Sequence, residues 1–243
     1  VGCPRCQKKL GRDNSANNLH CYGLDADGKH KGAHCFSCEM TIPSQQWLEE
    51  NGEIAEEEYE DIVGTEFNEE IHNKLKEISG VDSRNYRGIR SDVSKPFGVR
   101  YTYSETDGSV AATYYPCTKD SKLVGYKVRH HPKRFEAVGE TGKDCDLFMQ
   151  FKFPTHKDTV VICAGEVDAL SLYQVLADNQ TNKKYNSAAV VSPTIGESGA
   201  WKQVQTHYKF FEKHSKIVVC MDEDEAGRQA ADKICKVLPR GKV

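Results

Sequence analysis

Apolar positions fall into three different rhythms along the 243 residues. From about residue 158, short apolar runs alternate with segments of helical period: TVVIC, EVDALSLYQVLA, AAVVS, SGAWKQVQTHYKFFEK, KIVVCM and EAGRQAADKICKVL. Runs of four to six apolar residues with no polar alternation predict strands covered on both faces, and such strands belong to parallel sheets. The pattern therefore predicts a parallel α/β unit over 158–243, with a single helix over 198–213. Over 65–157 the period is mixed. NEEIHNKLKEIS spaces Ile71, Leu75 and Ile78 for a helix, while FGVRYTY, VAATYYP and KLVGYKV read as antiparallel strands separated by turn residues. No run approaches the roughly 18 apolar residues of a membrane span, and the N-terminus has no signal-peptide core. The first residue is Val1 rather than Met, so residues before it are expected.

The first 48 residues are poor in aliphatic side chains and rich in Cys, Gly and Lys. Cys3-Pro-Arg-Cys6 and Cys35-Phe-Ser-Cys38 are separated by 28 residues. Two such pairs supply four thiolates to a tetrahedral Zn²⁺ at about 2.3 Å, and a segment with so small a core needs a staple. The gap exceeds the usual ~15–20 residues, which predicts an insertion; Cys21, His20, His30 and His34 lie in or beside it and offer substitute ligands. The plainer reading is redox pairs or free thiols. Ten cysteines with this spacing argue for a reducing compartment, not a disulfide framework. The expected organisation is a four-cysteine, zinc ribbon-like domain at 1–48, then a linker at 49–64 carrying eight acids and no base. An exposed helix with a polar face is the other reading of that acidic block. A basic part at 65–157 and the α/β domain at 158–243 follow.

Net charge is −3 overall, which names no partner, but residues 74–134 carry thirteen Lys/Arg against six Asp/Glu, interleaved with tyrosines. Bases for phosphates and rings for stacking suit single-stranded nucleic acid or nucleotides, although a solvated basic face has the same composition. The densest run is YKVRHHPKRF. On a strand Lys127 and Arg129 share one face, and Lys133 and Arg134 return after the Pro132 turn. As surface charges, Lys127 and Lys133 should each contribute under about 0.5 kcal/mol to stability. Gly139-Glu-Thr-Gly142-Lys143-Asp144 is no phosphate loop, because Ala137 replaces the first glycine and Asp144 the magnesium-binding hydroxyl.

Two predicted strands end in acids. TVVIC leads to Ala164-Gly165-Glu166-Val167-Asp168, and KIVVCM to Asp222-Glu223-Asp224. Carboxylates meeting at the carboxyl ends of parallel strands suit Mg²⁺ and in-line phosphoryl transfer. The plainer reading is acids dressing helix N-termini, with Asp224 as an N-cap.

The pairing of VVICAGEVDAL with VVCMDEDEAGR resembles the TOPRIM fold of primases, topoisomerases and some nucleases. With the N-terminal cysteines, the basic middle and the ending KVLPRGKV, the chain resembles the primase half of a phage bifunctional primase–helicase. That resemblance implies a catalytic Mg²⁺ on Asp222 and Asp224, with Asp168 as a weaker ligand, and one structural Zn²⁺ on Cys3, Cys6, Cys35 and Cys38. It implies nucleotide or template contacts from Lys127, Lys133 and Arg87, the last in a short Arg-Gly-Ile motif; Arg129, on the same strand face as Lys127, is a further candidate for such contacts. The implied activity is DNA-templated synthesis of short RNA primers from ribonucleoside triphosphates on single-stranded DNA. A helicase domain would follow in the full-length chain, a replicative DNA polymerase would take over the primer, and the setting would be the cytoplasm of the infected bacterial host, with no membrane. Two departures stand out. The chain stops before a further strand of the family, and the family's glutamate before the glycine is Ala164. Either Glu166 replaces it or the position has been altered, and the chain is expected to be catalytically weak. A TOPRIM nuclease or topoisomerase fragment, and a non-catalytic zinc-dependent nucleic-acid-binding module, remain the alternatives.

Overall fold

The computed structural model describes residues 19–35, 41–42, 44, 67–131, 133–155, 158–180 and 188–243. Cys3, Cys6, Cys38 and the whole acidic segment 49–64 lie outside them. The chain divides into two compact units, one of residues 1–63 and 130–136, the other of 64–129 and 137–243.

In the first unit, β1 (Leu19–Cys21), β2 (Ala33–Cys35) and β3 (Thr41–Ile42) form an antiparallel sheet in that order. Much of the predicted insertion between the cysteine pairs is thus a hairpin. Its turn is held by Asp25, whose Oδ1 accepts from the amides of Asp27 at 3.0 Å and Lys29 at 2.8 Å.

The second unit opens with α1 (Glu69–Ile78), which buries Ile71 and Leu75 and is capped by Asn68, whose side chain accepts from the Ile71 amide at 2.9 Å. A short helix, α2 (Ser91–Ser94), precedes an antiparallel sheet of β4 (Arg100–Tyr103), β5 (Val110–Lys119), β6 (Lys122–His130) and β7 (Arg134–Gly139), of which residues 130–136 are counted with the first unit. The predicted strands stand. Asp120 and Ser121 both take positive φ, 49° and 64°, and this tight reversal matches the twist of the β5–β6 hairpin.

The α/β part is as the alternation predicts. The parallel sheet has the order β10 (Lys216–Cys220), β8 (Thr159–Cys163), β9 (Ala189–Val191). Successive side chains of a strand face opposite ways. Val161 and Cys163 accordingly join a core with α3 (Glu166–Asn179) and the antiparallel sheet through Ala169, Leu170, Tyr101, Tyr115 and Phe148. Val160 and Ile162 join the opposite core with α4 (Glu197–Thr206), α5 (Tyr208–Glu212) and α6 (Glu225–Val237).

The single helix expected over 198–213 is two. The break is at His207 (φ −95°, ψ 23°), whose ring Nε2 lies 2.8 Å from the Cys145 carbonyl. That contact joins the helix junction to the loop after β7. Apolar periodicity carries no signal for such a bond between positions 62 apart.

Candidate functional site

The site grows from the parallel register. Cys163 and Cys220, the last residues of β8 and β10, are Cα partners. The two acid-bearing turns therefore leave the sheet at the same level and side by side. On the β8 side, Gly165 is extended (φ −148°, ψ 175°) and serves as the N-cap position of α3 without a side chain. Glu166 and Asp168 fill the first helical turn, where the helix dipole favours acids. On the β10 side, α6 tucks beneath the Asp222 turn. A Cβ on Gly227 would lie 2.1 Å from the Asp222 carbonyl oxygen and 2.7 Å from its carbon, so only glycine permits this approach.

The Asp222 charge acts on Asp168. Partial desolvation raises the Asp168 carboxyl above its ordinary range, the Asp222 charge raises it further, and the Arg87 guanidinium pulls it back. These three candidates share one electrostatic environment. Arg87 is exposed and left-handed (φ 54°, ψ 28°). Its segment is fastened to α3 by residues that the sequence did not single out. Gln174 donates to the Gly88 carbonyl at 2.9 Å and accepts from the Arg90 amide at 2.9 Å. The Arg90 guanidinium pairs with Asp178 at 2.7 and 2.9 Å.

Glu166 is turned elsewhere. Its Oε1 accepts a hydrogen bond from Lys127 Nζ on β6 at 2.8 Å, and the two side chains are 7% and 18% exposed. Lys127 is thus not the surface charge its strand position suggested. Arg129, two residues along the same face, is half-buried and acts on the buried Tyr115 hydroxyl, which burial and then Glu166 push upward. Burial also pushes the Cys117 thiol up to about 12, with Cys145 and Glu166 adding to it and Lys127 opposing. Lys133 is exposed near the β6–β7 tip, its Nζ 6.0 Å from the Phe135 ring. In the same hairpin His130 and Glu136, 10% and 8% exposed, lie 2.8 Å apart.

Asp224 follows the plainer of the two readings. It is the N-cap of α6, and its Oδ1 accepts from the Gly227 amide at 2.8 Å. Among the described residues no three His, Cys, Asp or Glu side chains form a ready metal cluster. Cys35 ends β2, and the other three zinc candidates lie outside the described residues.

Residues 161–243 match the Toprim-like family. This part of the chain is a TOPRIM domain. The chain is also 26% identical over 234 residues to a DNA helicase/primase of Enterobacteria phage T3, covering 92% of this chain and 37% of that protein. The primase fragment of the bacteriophage T7 primase–helicase shares the fold, with a TM-score of 0.60 and 23% identity over 92% of this chain and 88% of that one. A second structure shows phage T7 lagging-strand DNA polymerase interacting with primase domains bound to an RNA/DNA hybrid and dTTP. It matches with a TM-score of 0.56 and 29% identity over 68% of this chain and 78% of that one. In the TOPRIM domain described here, Ala164 and Gly165 form the turn from β8 into α3, and Asp222 lies on the neighbouring turn. No helix among the described residues is long and apolar enough to cross a membrane.

Proposed function

We propose that the chain is the primase part of a phage primase–helicase, making short RNA primers from ribonucleoside triphosphates on single-stranded DNA. The observation that carries the reading is the meeting of Asp168 and Asp222 on adjacent turns of a TOPRIM sheet, within electrostatic reach of Arg87. A carboxylate whose proton affinity is raised by burial and by a neighbouring carboxylate suits a bound cation. Asp222 and Asp168 would hold Mg²⁺, with Asp224 contributing the oxygen that does not cap α6. Mg²⁺ there supplies Lewis-acid stabilisation of the triphosphate during phosphoryl transfer. Arg87 and Lys127 offer positive charge to nucleotide phosphates, Arg129 adds to it, and Lys133 is a separate candidate for a template contact. The proposed zinc domain uses Cys3, Cys6, Cys35 and Cys38 to read template. A helicase domain in the full-length protein, primer handoff to a replicative polymerase and a setting in the infected bacterial cytoplasm belong to the same proposal.

Ala164 leaves the position before Gly165 without a carboxylate, so this chain binds substrates but joins them poorly. The same residue favours the second reading, a nucleic-acid-binding module without catalysis. The test is an Ala164→Glu protein incubated with single-stranded template, labelled ribonucleoside triphosphates and Mg²⁺. Short RNA products support the primase reading; cut or relaxed DNA moves the chain to the nuclease or topoisomerase class, and no product favours the binding module.

A further inference from the structure

Cys163 and Cys220 take no part in the chemistry above, yet the fold sets them beside each other. They are Cα partners at the last paired position of β8 and β10. Val161 and Val218, two residues earlier on each strand, pack on the same core. By the two-residue period of a strand both thiols face that side. Adjacent strands lie about 4.8 Å apart, inside the roughly 4.4–6.8 Å Cα separation that a disulfide accepts. Cys163 is 2% exposed, whereas Cys220 is open to solvent. The other described cysteines lack this arrangement. Cys117 and Cys145 are both buried, Cys21 is paired with Ala33, and Cys235 lies on α6.

We propose that Cys163 and Cys220 are a reversible oxidation site, a dithiol that hydrogen peroxide converts to a disulfide joining the two strands from which the acidic turns leave. The exposed Cys220 sulfur attacks one peroxide oxygen, the O–O bond breaks, and Cys220 becomes a sulfenic acid while the other oxygen leaves as water. The Cys163 sulfur then attacks the Cys220 sulfur. The S–S bond forms, the S–O bond breaks, and the hydroxide takes the Cys163 proton to leave as a second water. Two thiols are oxidised by two electrons and one peroxide is reduced. Thiolate exchange reverses the bond. The bond fixes the spacing between the Ala164–Gly165 and Met221–Asp222 turns.

The test treats the whole reduced chain with hydrogen peroxide, blocks remaining thiols with N-ethylmaleimide, and maps tryptic peptides without reduction. The expected product joins peptide 158–183 to peptide 217–228 with the loss of two hydrogens, in most chains, and dithiothreitol releases it. Cys220→Ser, a change at an exposed position, should abolish the link and leave Cys163 as the free thiol. Recovery of Cys220 as a sulfinic acid or maleimide adduct beside an unlinked Cys163 would overturn the proposal. So would a disulfide from Cys220 to any other cysteine.

Discussion

Glu166, on the first turn of α3, accepts a hydrogen bond from Lys127 of β6 at 2.8 Å, and both side chains are largely withdrawn from water. The pair joins the antiparallel sheet to the helix that starts the TOPRIM site. It fixes the ammonium near the acidic turns and occupies a Glu166 oxygen.

The pair should therefore matter for stability as well as for substrate binding. Removing one partner of a buried pair costs about 3–5 kcal/mol. The residual exposure of Lys127 places Glu166→Gln at the lower end, about 3 kcal/mol. The double change Lys127→Met/Glu166→Gln should recover part of that loss, because no unpaired ammonium remains. Urea unfolding of the three proteins measures it. Equal stabilities would show that the pair is not closed in solution.

Asp224 has a structural duty that two substitutions separate from any metal duty. Asp224→Ala removes the cap on the Gly227 amide and should cost about 0.5–2 kcal/mol. Asp224→Asn keeps an accepting oxygen and should stay within about 0.5 kcal/mol of the parent. In an Ala164→Glu background both should lose primer synthesis. Full activity of the Asn variant would leave Asp224 as a cap alone.

The strand–helix alternation of the TOPRIM part was legible because its strands are covered on both faces, so TVVIC and KIVVC have no polar alternation to confuse them with helices. The convergence of the acidic turns followed from parallel strands ending together. Three features were not legible. The Glu166–Lys127 pair spans 39 positions and the Arg90–Asp178 pair 88, and neither leaves a local pattern. The break at His207 depends on a carbonyl from a distant loop. Asp224 satisfied both a capping and a ligand pattern, and only the side-chain direction shows the cap.

The raised Asp168 carboxyl makes a pH prediction. An acid whose folded proton affinity exceeds its unfolded value of 3.8 binds more protons folded than unfolded. Its contribution is fully present below that value and is lost as pH rises through the folded value. Asp168→Asn should thus stabilise the metal-free protein at pH 7 and give little difference below pH 3.8. Added Mg²⁺ should stabilise the parent more than the variant. Thermal unfolding across pH checks both; a variant less stable than the parent at pH 7 without metal would contradict the repulsion.

The zinc proposal predicts one Zn²⁺ per chain by metal analysis. Cys35→Ala should release it and increase proteolysis within residues 1–48, while residues 64–243 keep their protection. Zinc retained in full by that variant would contradict the assignment of Cys35.

The central claim is that the two acidic turns form a primer-synthesis site lacking one carboxylate at position 164. The most direct measurement is dinucleotide synthesis on single-stranded template with Mg²⁺, comparing this chain with its Ala164→Glu form, each extended beyond Val243 and matched for metal occupancy. A carboxylate acting as general base contributes about 10²–10⁴-fold, so the substituted protein should be faster by at least about 100-fold. Equal rates in the two proteins would contradict the account.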